Sequence, residues 1–240
     1  MVGSRSSLQT MKQAYAATAQ ATGRALTTAG VLGDEPPPLS HRLRHWGYSL
    51  TKVHDSLEIA RLGVPWWTYR AIDVVSDWLE PGRPVRVFEY GSGASTLWLA
   101  GRATEVHSVE HHAGFAASMA RELAPLSHVT LHVVEPQPSA TPAVPSAKEG
   151  HAGLDFTDYV RTIEQVPGAF DLVVVDGRAR EACLAAAAHR LAAGGIVVFD
   201  NTLRRRYRAA IRRSGLVEDR YFGLTPTLPY PDQTSVLRTR

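Results

Sequence analysis

The clearest signal in the chain is a change of hydrophobic rhythm near residue 85. From there on, short apolar runs alternate with stretches of helical spacing. Residues 85–90 (Val-Arg-Val-Phe-Glu-Tyr), 105–110, 129–134, 170–175 and 196–199 predict five strands. Between and after them, residues 94–102, 113–123, 156–165, 179–191 and 203–213 predict helices, with a proline-marked loop at Pro136, Pro138, Pro142 and Pro145. Strands that read as continuous apolar runs and alternate with helices predict an α/β fold, a parallel sheet covered on both faces. The tail breaks the rhythm: residues 217–222 and 235–237, separated by turn residues, predict two late strands in a hairpin and so an antiparallel finish.

Before residue 85 the pattern is weaker. Trp67, Ala71, Val74, Val75 and Trp78 fall on one face of an amphipathic helix over 66–79. Residues 1–34 carry only faint helical spacing, and Pro36-Pro37-Pro38 ends them. The expected organisation is an N-terminal helical extension or cap over 1–64 and one domain over 65–240. The extension is a candidate surface for self-association into a homo-oligomer.

Composition narrows the class. Of 240 residues, 44% are hydrophobic and 20% charged, which supplies a sizeable core and excludes a disordered chain. The net charge of +3 does not by itself imply nucleic acid. The single cysteine, Cys183, excludes an intramolecular disulfide or a cysteine zinc site and reads as a buried, inert thiol in an alanine-rich helix. No window reaches the ~18 apolar residues of a membrane span. The expectation is a soluble, cytoplasmic protein without a membrane partner.

In a parallel α/β sheet, ligands bind beyond the carboxyl ends of the strands, so those residues hold the candidate chemistry. After the first strand stands Glu89-Tyr90-Gly91-Ser92-Gly93-Ala94-Ser95-Thr96. Two glycines in a strand-to-helix turn let a ligand approach the backbone. The dinucleotide fingerprint lacks its third glycine, because Thr96 stands there, which disfavours a pyrophosphate. The second strand ends in Glu110-His111, about twenty residues on, where this type of fold grips ribose hydroxyls.

These motifs, followed by Asp171-Leu172-Val173-Val174-Val175-Asp176-Gly177 and by Gly194-Gly195-Ile196-Val197-Val198-Phe199-Asp200-Asn201, resemble the class I S-adenosylmethionine (SAM)-dependent methyltransferases. The resemblance covers residues 65–240 with four motifs in order. It implies a Rossmann-like, seven-stranded, mostly parallel sheet with its last strand antiparallel, and SAM as cofactor. The cofactor set it implies is Glu89, Tyr90, Gly91, Ser92, Gly93, Ser95, Thr96, Glu110, His111, Asp176 and Gly177. Glu135 or its neighbours would flank the adenine.

For the transfer itself, Asp176, Asp200 and Asn201 lie at adjacent strand ends. Two carboxylates and an amide oxygen suit Mg2+, and the arrangement resembles the metal-dependent small-molecule O-methyltransferases. Helix capping by the two aspartates is the competing explanation. Arg178 and Arg180 stand where the catechol type keeps a lysine, and arginine is a poor base. His54, Trp66, Trp67 and Tyr69 either line an acceptor pocket or pack as an ordinary helix. Pro226, Pro229, Tyr230 and Pro231 form a rigid loop suited to closing the site. His111-His112 also reads as a surface pair at a helix start. The six arginines of residues 203–213 (Arg204, Arg205, Arg206, Arg208, Arg212, Arg213) form a solvated helix face or bind an anionic acceptor. The expected acceptor is a small molecule methylated on a hydroxyl oxygen. An RNA methyltransferase using the arginine helix and a non-catalytic partner subunit are the alternatives, with nucleic acid the less favoured partner.

Overall fold

The computed structural model describes residues 17–19, 21–23, 25, 27–30, 32–33, 35–52 and 62–239. Helix α1 (Arg42–Ser49) runs into a 3-10 turn, and α2 (Tyr69–Trp78) leads to the sheet. The strands are β1 (Arg86–Tyr90), β2 (Glu105–Glu110), β3 (Val129–Val133), β6 (Phe170–Val175), β7 (Leu191–Phe199), β8 (Val217–Gly223) and β9 (Asp232–Arg238). Among them lie α3 (Ala94–Ala100), α4 (Ala113–Leu123), α5 (Thr157–Gln165), α6 (Arg180–Ala188) and α7 (Tyr207–Arg213). Two short strands, β4 (Gln137–Pro138) and β5 (Leu154–Asp155), pair apart from the main sheet.

The main sheet has seven strands in the order β3-β2-β1-β6-β7-β9-β8, and only β9 runs against the rest. This is the Rossmann-like arrangement expected from the resemblance. Alternation sets the two faces. Val87, Leu172, Val174, Ile196 and Val198 point into the core under α2 and α3, and Phe88, Tyr90, Val173, Val175 and Val197 into the core under α5, α6 and α7. Fully burying each such side chain stabilises the fold by about 1.5–3 kcal/mol.

Several boundaries move. The helix predicted from residue 66 starts at Tyr69, because Thr68 is extended (ψ 143) and its N–H donates to Thr234 Oγ1 at 3.0 Å. Trp67 is fully buried against Trp98 and Tyr69 is in the same core, its hydroxyl 2.6 Å from His45 Nδ1, so both pack the helix. Only Trp66, of the aromatics placed near the acceptor, lines the cavity described below, and His54 lies outside the described residues. The strand predicted over 196–199 begins at Leu191, where the chain pairs with Phe170 before a register shift. The arginine helix is shorter than its periodicity predicts: residues 203–206 are turns after Asn201, whose φ is +55.

The segment before residue 65 shares the main core through Tyr48, Leu62 and Val64. It also holds the loop over residues 225–230. Trp46 Nε1 donates to the Leu228 carbonyl at 2.9 Å, and Thr227 N–H donates to Ser49 Oγ at 2.9 Å. No helix among the described residues is long and apolar enough to cross a membrane.

Candidate active site

From β1 the chain builds outward to β2 and β3, then crosses back to β6 on β1's other side, so β1 and β6 flank the switch point. A cavity of about 1040 Å3 opens at their carboxyl ends. That is the upper end of the ~300–1,000 Å3 usual for small-molecule sites, enough for a nucleoside and a second ligand together.

One half is made of backbone. Gly91 has φ +98, and a Cβ there would fall 2.6 Å from Gly177 Cα. At Gly177 a Cβ would fall 2.0 Å from Tyr159 Oη and 3.0 Å from Gly91 N, so neither strand end tolerates a side chain. A Cβ on Gly93 would meet nothing, which leaves the loop open on its ligand side. Glu89 is fully buried beneath this turn and accepts hydrogen bonds from the hydroxyls of Ser95, Thr96 and Ser108, the last at 2.7 Å. Burial pushes its pKa up to about 7 against the pull of those three donors. Thr96 Oγ1 in turn accepts from Gly93 N–H at 2.9 Å. The buried glutamate thus fastens the loop from below.

Glu110 faces the cavity from the next strand. His112 N–H donates to its Oε1 at 2.8 Å and Ser92 Oγ to its Oε2 at 3.3 Å. Burial favours its protonation, but His111 and the backbone N–H groups of His111 and His112 outweigh this and hold the pKa below the ordinary range. His111 Nδ1 sits 2.8 Å from Oε1 without hydrogen-bond alignment. An ionised acceptor-only carboxylate beside a bare glycine turn fits the ribose diol and methionine end of SAM.

The other half is made of charge. The Arg180 guanidinium, 8% exposed, donates Nη2 to both the carbonyl and Oδ1 of Asp176 at 2.5 Å. It donates Nη1 to the Asp200 carbonyl at 2.7 Å and Asn201 Oδ1 at 3.1 Å, and Nε to the Gly177 carbonyl at 3.1 Å. Asp200 Oδ1 accepts from Thr234 Oγ1 at 2.7 Å, and Asn201 Nδ2 donates to Asp232 Oδ2 at 3.0 Å. Burial and the Asp176 charge push the Asp200 pKa up to about 8. Burial also raises that of Asp176, opposed by Arg180, Arg178 and Arg204. The three non-glycine residues with positive φ among those described, Ala179, Asn201 and Thr227, all line this half. Such strain collects at functional sites.

This geometry corrects the metal assignment. Asp176, Asp200 and Asn201 do converge, but a guanidinium stands among them, so they do not fit Mg2+. No group of three or more His, Cys, Asp or Glu among the described residues is placed to hold a metal ion. Nor are the aspartates helix caps, since α6 and α7 begin after Ala179 and Arg206.

Of the residues read from sequence, Gly91, Ser92, Gly93, Ser95, Glu110, His111, Asp176, Gly177, Asp200 and Asn201 line the cavity. Glu89 and Thr96 lie beneath the loop, and Tyr90 is core, its hydroxyl donating to the Val160 carbonyl at 2.7 Å. Glu135 is exposed and outside the lining. Residues 145–148 and His151 take its place. The β4–β5 pair and Asp155 bring them in, for Asp155 accepts from the N–H groups of Ala143, Val144 and Thr157. No local spacing signals His151. Arg180 was read from sequence only as a poor base, and its ion pair with Asp176 was missed because the chain turns at Ala179 rather than running as one helix. Of the arginine cluster only Arg204 and Arg206 reach the cavity, while Arg208 pairs with Glu218. Pro226, Pro229 and Tyr230 line the mouth. Cys183 is fully buried with its thiol pKa raised by burial.

A glycine cradle at the switch point, with a carboxylate one strand over, lies where class I methyltransferase folds are expected to bind a nucleoside. Residues 88–202 match the family model described as a methyltransferase domain, which supports a SAM-dependent methyltransferase. No curated protein matches the chain. Solved structures resemble it distantly. A TehB-like SAM-dependent methyltransferase from Corynebacterium glutamicum is 15% identical over 80% of this chain and 98% of that one, with TM-score 0.48. The N-methyltransferase NodS from Bradyrhizobium japonicum is 18% identical over 71% and 94%, with TM-score 0.46. A methyltransferase-like protein from Silicibacter pomeroyi is 22% identical over 70% and 84%, with TM-score 0.44.

Proposed function

We propose that the acceptor is a small molecule bearing a hydroxyl and an acidic group, and that the hydroxyl oxygen is methylated. The observation that carries this reading is Asp200. It lines the cavity at the end of β7, and its Oδ2 accepts no hydrogen bond among the described residues. Its pKa near 8 matches a general base working close to neutral pH.

SAM, when bound, supplies an electrophilic methyl group, so the chain's tasks are to orient the two ligands, exclude water and take a proton. Gly91, Gly93 and Glu110 hold the nucleoside. Asp200 Oδ2 takes the hydroxyl proton, while Thr234 keeps the other carboxylate oxygen fixed. Arg204 and Arg206 at the rim meet the acidic group of the acceptor. The loop over residues 225–230, held by α1, closes the acceptor end and favours small ligands.

The test is release of S-adenosylhomocysteine from SAM across a panel of hydroxylated carboxylates and phosphates beside their neutral analogues. Turnover confined to the acidic compounds, with KM raised about tenfold or more in Arg204→Ala, is the expected result. Turnover of neutral compounds alone would refute the acidic-acceptor reading. So would methylation of RNA accompanied by binding that weakens steeply with salt.

A further inference from the structure

Resting on that reading of the cavity, we infer that Arg180 is the resident cation of the Asp176–Asp200–Asn201 cluster, a positioning residue that does with a guanidinium what a divalent ion would otherwise do there. A guanidinium has five N–H donors. All of Arg180's are committed: Nε to Gly177, Nη1 to Asp200 and Asn201, and both on Nη2 to Asp176. It therefore has no donor left for the acceptor. What it does is gather the ends of β6 and β7.

The backbone on either side is bent to allow this. Ala179, immediately before Arg180, has φ +48, and Asn201 has φ +55. A left-handed conformation is unfavourable for a non-glycine residue. Both residues carry that cost at the two places where the chain turns toward the guanidinium. Ala179 swings Arg180 back beneath the strand ends, and Asn201 offers Oδ1 to Arg180 while its Nδ2 holds Asp232.

The charges leave no room for a second cation. A divalent ion such as Mg2+ demands several oxygen ligands in near-octahedral array. Here Asp176 Oδ1 and Asn201 Oδ1 are already taken by N–H donors, and an ion added between them would stand against a buried guanidinium. Arginine keeps its proton at any working pH, so this cation cannot be titrated or chelated away.

The test uses Mn2+ as probe on the full chain, followed by electron paramagnetic resonance, with S-adenosylhomocysteine affinity measured calorimetrically on the same samples. The wild type is expected to bind no Mn2+ at millimolar concentration. Arg180→Ala is expected to gain a site at least roughly tenfold tighter than any on the wild type, and adding Asp200→Asn should remove it. Where Arg180→Ala does not fold, Arg180→Gln, uncharged but still a donor, takes its place. The wild-type measurement decides independently of either variant: Mn2+ binding that Asp200→Asn abolishes overturns the inference. A folded Arg180 variant that gains no Mn2+ site overturns it too. Loss of S-adenosylhomocysteine binding in the wild type would instead strike the reading of the cavity, while the Mn2+ comparison stayed readable.

Discussion

The two halves of the cavity are built on different principles. At β1 and β2 the site is backbone: two glycines in contact, a bare turn, and a single ionised carboxylate. At β6 and β7 it is side chain: three acids, an amide and a buried guanidinium bound into one network, framed by strained residues. Where Gly91 meets Gly177 the first half tolerates no added atom, and the second half rests on paired charges. On the proposed function, shape would govern where the nucleoside lies and electrostatics where a proton leaves.

Substitutions on each side should therefore fail differently. The largest effect is expected from Gly177→Val, whose side chain would enter the space held by Tyr159 Oη and the Gly91 backbone. Overpacking should cost about 1–3 kcal/mol of stability and abolish S-adenosylhomocysteine binding, read by thermal melting and calorimetry. Next, Asp200→Asn should lower kcat about a hundredfold or more while leaving nucleoside affinity within about twofold. In the wild type, turnover should rise with pH through about 8 as Asp200 loses its proton, and the variant's profile should lose that limb. Glu110→Ala should do the reverse, weakening cofactor binding about tenfold or more through the loss of ~1.5–3 kcal/mol of charge-assisted bonding, with little change in the pH profile.

A smaller effect concerns stability alone. Glu89 and Asp200 both have pKa values raised by burial, to about 7 and about 8. Between the ordinary carboxylate range and those values the folded chain binds more protons than the unfolded one. The stability these groups contribute is complete below about pH 4 and is lost as pH rises through 7 and 8. Melting temperature followed between pH 5 and 9 should show that decline, and Asp200→Asn should reduce it.

The two halves also differed in how far the sequence revealed them. Gly91, Gly177 and Glu110 line the cavity as read, because packing Gly91 (φ +98) against Gly177 is a backbone requirement that only glycine answers, and the carboxylate follows at a fixed strand spacing. Gly93 is extended and its position would admit a Cβ. The strands themselves and the antiparallel finish at β9 were readable for a related reason, since periodicity follows burial, whereas the order of strands in the sheet was not. Asp176, Asp200 and Asn201 do converge, but where Mg2+ was read among them the structure places the Arg180 guanidinium. Whether two acids hold an ion or an arginine depends on where Ala179 turns the chain, and a positive φ on alanine has no sequence signature. Glu135 itself lies outside the cavity lining, while residues 145–148 and His151, held by Asp155 and the β4–β5 pair, line it, a long-range effect. Trp67 and Tyr69 looked like pocket aromatics because periodicity marks a buried face without saying whether protein or ligand covers it.

The bonds from Trp46 and Ser49 to residues 227 and 228 have a last consequence. They tie the mouth that receives the acceptor to a stretch of chain that precedes the nucleoside-binding body. Evolution can therefore retune acceptor choice by editing this N-terminal strap, with the glycine turn untouched. A trimmed protein starting beyond residue 52 would lose both bonds together with the core contacts of Tyr48 and the His45–Tyr69 bond, and should melt at a lower temperature.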